Sequence, residues 1–184
     1  MNNKNILIGG LLAIVLVMAV GYAVFSTSLN VTGTANVTSS WNVGFDTTKT
    51  SGTGVITPTT GLSGAAAPTG SISYPSAQSA TLNASFTQPG DKIVFTLTVK
   101  NTGTLKAKLS TPVLTLSGGN VSGLTATKGN IKFTVALGST SLAASTGTTT
   151  LTVTAEFVNN TLSSSTTESA SLTIALNATQ DTSA

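Results

Sequence analysis

The chain contains no cysteine, no histidine and no arginine, and only five of its 184 residues are Asp or Glu. Without His or Cys there is no imidazole base, no thiolate nucleophile and no conventional zinc or iron–sulfur ligand set. The five acids, Asp46, Asp91, Glu156, Glu168 and Asp181, are scattered through the sequence and do not make a metal site. Serine without histidine leaves only a Ser–Lys dyad, which no local motif marks. The sequence is therefore read as that of a non-enzyme with no cofactor and no metal. Charge of both signs is scarce, at 7% of residues, and all eight cations are lysines, so the net charge of +3 makes no phosphate-tracking stripe. Nucleic acid is not an expected partner.

What the chain does have begins with an uncharged run, ILIGGLLAIVLVMAVGYAVF, from Ile6 to Phe25, preceded by Lys4. A run of this kind is an export signal or a membrane anchor, and its length lies between the two. Gly21 and Ala23 place small residues three before and one before a cut between Ala23 and Val24, which marks residues 1–23 as a signal peptide. If the segment is retained instead, residues 6–25 are the only membrane contact. In both cases Lys4 stays inside and the remainder is exported, which predicts a secreted, extracellular or cell-surface protein.

Past Ser26 no helical period emerges, and period two takes over. Small or apolar residues alternate with Thr, Ser and Asn at Leu29, Val31, Gly33, Ala35 and Val37, and again at Trp41, Val43 and Phe45. The same pattern recurs at 80–86, 93–99, 105–109, 114–116, 131–137, 151–157 and 172–178, separated by turn formers. Nine or ten half-buried strands without crossover helices predict an all-β, two-sheet antiparallel sandwich, jelly-roll-like or alternatively Ig-like, preceded by the hydrophobic helix. Residues 24–46 form an N-terminal strand segment. Residues 47–70 read as a low-complexity loop, with one short strand around Val55 and Ile56, and 71–184 make up the rest of the sandwich. Trp41, in step with Val43 and Phe45, is expected in the core rather than on a sugar-binding face. Lys106 and Lys108 are expected to keep an edge strand soluble.

Two turns frame the strand at 93–99: Pro89-Gly90-Asp91 before it, and Asn101-Thr102-Gly103 after it. With GYAVF at 21–25 and the alternating stretch that follows, these motifs resemble the TasA/camelysin-like family of secreted bacterial surface proteins. The resemblance covers about half of the chain. It implies a jelly-roll subunit of extracellular biofilm-matrix fibres that associates with itself, and possible contacts with other matrix or cell-wall components. It also implies that the N-terminal strand of one subunit completes the sheet of its neighbour. Some members of the group are labelled metallopeptidases, but this chain has no HExxH motif.

The residues themselves allow two readings of the segment from Leu29 to Val37. It is either the first strand of its own sandwich or a donor strand, with Leu29, Val31, Gly33, Ala35 and Val37 facing a neighbour's groove. Nine residues at about 3.3 Å each span roughly 30 Å, enough to cross a sheet. A membrane-anchored adhesin or binding module is the alternative function. Lys92, Lys100, Glu156 and Asn177 also resemble the Lys, acid and Asn set of self-forming isopeptide crosslinks. That reaction needs a buried amine beside an amide and a protonated acid; the plainer reading is four solvated side chains. The six N-x-S/T triplets, opening at Asn30, Asn36, Asn83, Asn120, Asn159 and Asn177, follow from a Ser/Thr-rich composition.

Overall fold

A computed structural model describes residues 3–25, 39–52, 54–61, 66–158 and 167–183. The chain divides into two compact units, Met1–Val37 and Thr38–Ala184. The first holds helix α1 (Asn3–Phe25). Its side chains are described as far as Met18, and the large apolar ones from Ile6 to Met18 are all exposed, on every side of the helix. Among the residues so described, no helix is long and apolar enough to cross a membrane. The donor-strand positions Leu29, Val31, Gly33, Ala35 and Val37 lie outside the described residues, as do the side chains of Ala23 and Val24.

The second unit is all β. Its strands are β1 (Val43–Phe45), β2 (Ile56–Thr59), β3 (Thr69–Ser76), β4 (Ser79–Phe86), β5 (Lys92–Asn101), β6 (Ala107–Leu109) and β7 (Val113–Leu116). They continue with β8 (Asn120–Ser122), β9 (Thr125–Lys128), β10 (Ile131–Leu137), β11 (Ser141–Leu142), β12 (Thr148–Phe157), β13 (Glu168–Ala175) and β14 (Ala178–Gln180). Every pairing is antiparallel, as alternation with one solvated face requires. Hydrogen bonding sorts the strands into three sheets: β1-β5-β12-β10-β9-β8 with β2 also on β5, β3-β4-β13-β7, and the small β11-β6-β14. The strands outnumber the nine or ten expected for two reasons: β8, β9, β11 and β14 have only two to four residues, too few to display an alternation, and β3, though eight residues long, buries only Ile72 and so shows no period-two pattern.

The alternation fixes which side chains go inside. In β5, Ile93, Phe95, Leu97, Val99 and Asn101 are buried while the residues between them are half-exposed; β12 repeats the pattern with Leu151, Val153, Ala155 and Phe157. The two larger sheets meet through these faces. Phe86 of β4 packs edge-on against Phe157 of β12 at 6.4 Å, and Phe45 of β1 lies 5.7 Å from Tyr74 of β3. The buried apolar residues form one cluster. Each of its fully buried phenylalanines, such as Phe95 and Phe133, stabilises the fold by about 1.5–3 kcal/mol relative to exposure.

Two expectations are corrected. Trp41 is 45% exposed and outside the core. Val43 and Phe45 share its parity and are buried, but backbone bonds from Thr102 to Asn42 and from Thr104 to Ser40 place Trp41 opposite Gly103, in the turn beyond the end of β5. Nothing large faces it there. Lys108 lies on β6, the middle strand of the small sheet rather than an edge, between Ser141 of β11 and Thr179 of β14.

Candidate functional site: the central strand, its turns and its edge

Both turn motifs lie at the ends of β5, so one strand carries everything the sequence singled out in this region. Before it, Asp91 is fully buried, and its carboxylate gathers three backbone donors. Oδ2 accepts from Thr87 N (3.1 Å) and Gln88 N (3.2 Å), and Oδ1 accepts from Gly61 N (3.0 Å). The main chain of Asp91 adds a bond from Phe157 N at 2.9 Å, and Gly90 N donates to the Phe157 carbonyl at 3.2 Å. Gly90 has a φ of +83°, which glycine adopts without the steric cost that other residues meet. The turn thus ties together β4, β12 and Gly61, within the excursion at 47–70.

After the strand, Asn101 is buried and its side chain is fully used. Nδ2 donates to the carbonyls of Leu105 (2.8 Å) and Ala143 (3.0 Å), while Oδ1 accepts from Gly103 N (3.0 Å). A Cβ on Gly103 would stand 2.6 Å from the Ser40 carbonyl oxygen and 2.7 Å from Asn42 N, so the approach of residues 40–42 requires glycine there.

The other singled-out residues are only partly brought together. Lys92 Nζ lies 3.3 Å from Glu156 Oε1, its cross-strand partner on β12, but the two side chains are 43% and 39% exposed. Lys100, at the far end of β5, pairs instead with Asp46 at 3.4 Å. Asn177 is exposed, and its carbonyl accepts from Ser110 N. The amine nearest an acid is therefore solvated, whereas isopeptide formation needs it desolvated.

The Asp46 and Asp181 partners were not foreseen in the sequence. Asp46 is held below its ordinary value first by the Thr48 hydroxyl, which donates to Oδ1 at 2.7 Å, with Lys100 contributing further. Asp181 is lowered to about 2 by hydroxyl donation from Ser183 and Ser141 and by Ser183 N. The Asx-type spacings D-x-T and D-x-S were the available signals.

The second side of β5 is covered in an unusual way. One flank pairs with β12 over nine residues from Lys92 to Lys100. The other flank carries two short pieces: β1 on Val99–Asn101 and β2 on Lys92–Phe95. A shallow groove of about 440 Å³ elsewhere, lined by Thr69, Ser71, Asn83, Ser85, Ser169 and Lys128, offers hydroxyls and one amide but no acid–base pair. Among the described residues, no group of three or more His, Cys, Asp or Glu side chains could hold a metal ion. Comparison with protein-family models, with curated proteins and with solved structures finds no match for the chain.

Proposed function

We propose that the chain is a non-catalytic structural protein, exported through its N-terminal segment, that assembles into surface or biofilm-matrix fibres of the TasA-like kind by donating its N-terminal strand. The observation that carries this reading is the order of segments along the chain. An apolar helix without a polar face is followed in sequence by Ser26–Val37, which is uncharged and alternates with period two, and then by an all-β unit. A helix that is apolar all round needs a nonpolar environment, which a translocating or anchoring membrane provides. Once cleaved after Ala23, the alternating stretch has a free end and can lie on a neighbour's sheet. Head-to-tail repetition is open and produces a filament. The antiparallel sheets around a single core support a sandwich, and the β5–β12 pair nested in sequence between β4 and β13 of the opposing sheet supports a jelly-roll connection within it.

Deleting residues 26–37 and imaging the exported product by negative stain tests the mechanism. Loss of fibres is expected; fibres of unchanged morphology would remove strand donation. The anchored adhesin is the second reading, favoured by the exposure of Trp41, the chain's one tryptophan. N-terminal sequencing separates the two. A chain starting at Val24 in the medium supports the fibre, and a retained Met1 in the membrane fraction supports the adhesin.

A further inference from the structure

We propose that the edge of β5 from Lys92 to Thr96 is the surface on which a strand from a second copy docks, and that β2 is a placeholder that must leave first. The inference rests on the fibre reading above and adds where the incoming strand lies.

An added strand needs a long, regular edge, because its affinity comes from a row of main-chain hydrogen bonds. The two longest strands are β5 and β12, with ten residues each. β12 is paired along both flanks, by β5 over nine residues and by β10 over seven. β5 is the long strand whose second flank has only short partners. Competing edges are less suited: β3 carries Pro75 and a register shift between Ser73 and Ser76, β7 has four residues and β8 three.

The two pieces on the β5 edge differ in how firmly they are held. β1 is buried at all three residues and is gripped on its far side as well: Phe45 N donates to the Ala77 carbonyl at 2.7 Å, and the Gln78 side chain donates to the Val43 carbonyl. β2 has no buried side chain; Ile56 is half-buried and Thr57, Pro58 and Thr59 are exposed. Beyond its ladder, Gly61 N on the Asp91 carboxylate secures its C-terminal end. Thr96 N donates to the Val55 carbonyl at 2.8 Å, so the hydrogen-bonded pairs are 55/96, 57/94 and 59/92, alternating with 56/95 and 58/93. Pro58 therefore turns its donor-less nitrogen away from β5. The outer edge of β2 is blunted, and this sheet is extended here by replacing β2 rather than by adding to it.

The occupant is the stretch Leu29–Val37 of a second copy. β2 places Ile56 toward the core beside Phe95 and Thr57 toward solvent beside Val94. The stretch offers the same alternation over a greater length, with Leu29, Val31, Gly33, Ala35 and Val37 on one face and Asn30, Thr32, Thr34 and Asn36 on the other. It carries no charge to desolvate on the apolar side.

The absence of cysteine from the chain makes a clean test available. The double variant Thr57→Cys with Val94→Cys joins cross-strand partners and locks β2 in place when oxidised. The oxidised variant is expected to form no fibres, and reduction is expected to restore them. Fibres from the oxidised, fully crosslinked protein would overturn the placeholder role while leaving strand donation intact, whereas fibres from the 26–37 deletion would overturn donation itself. A second measurement avoids the crosslink. A synthetic peptide of residues 26–37 is added to the deletion variant and amide hydrogen exchange is followed. Protection is expected to be lost at 55–59 and kept at 92–96. Protection gained along β7 or β8 instead, or no change at 55–59, would overturn the assignment.

Discussion

Replacing Asp91 by Ala removes the acceptor for three backbone N–H groups at once, and the size of the effect can be worked out from their surroundings. Gln88 is buried and Thr87 half-buried, so water does not freely replace the carboxylate at those two donors, whereas Gly61 is exposed and can be rehydrated. Hydrogen bonds to a charged group contribute about 1.5–3 kcal/mol each, and a buried donor left unsatisfied costs about 1–3 kcal/mol. Part of this is offset because the variant no longer buries an ionised carboxylate, a desolvation cost of several kcal/mol. The net loss is expected to be about 3–5 kcal/mol. Asp91→Asn should lose less, since its amide oxygen still accepts while its NH₂ faces donors. Urea titration followed by far-UV circular dichroism is the suitable assay, because Trp41 is already 45% exposed and its fluorescence responds weakly to unfolding. In a thermal scan the same loss corresponds to a fall of roughly 6–20 °C. A loss below about 1 kcal/mol for Asp91→Ala at unchanged denaturant slope would show that the turn does not depend on this carboxylate, and the reasoning would fail.

Two further outcomes follow from the same geometry. Gly103→Ala drives a methyl group against backbone atoms of Ser40 and Asn42 and should cost about 1–3 kcal/mol, with residues 40–45 losing hydrogen-exchange protection; unchanged protection there would refute the close approach. Asp181 has a folded-state value of about 2 against an ordinary 3.8, so its contribution to stability is complete above about pH 3.8 and is lost as pH falls through about 2. Its carboxyl carbon should titrate near 2 by NMR and move upward in Ser141→Ala, and a midpoint insensitive to that substitution would remove the hydroxyl as a cause.

Strand class and inward face were legible from residue order alone, because a side chain's side of a sheet depends only on its parity along the strand. Ile93, Phe95, Leu97 and Val99, or Leu151, Val153 and Ala155, show their burial in the sequence. The turns at Pro89-Gly90-Asp91 and Asn101-Thr102-Gly103 were legible for a similar reason, since Gly, Asn and Asp have local backbone preferences that act within a few residues. Trp41 shows where parity stops being enough. It has the parity of Val43 and Phe45, yet it is exposed because its neighbouring strand has ended, a fact written some sixty residues away. The same holds for the site. That Asp91 begins a turn is local information; that it also holds Gly61, thirty residues earlier, depends on the return path of the excursion. Which lysine meets which acid, Lys92 with Glu156 and Lys100 with Asp46, was settled by register, and so was the uneven covering of the β5 edge by β1 and β2. Local order thus decided the strongly alternating strands and their inner faces, through forces that act between near neighbours in the chain. Tertiary structure alone decided the partners, because pairing between strands distant in sequence depends on how the whole core packs.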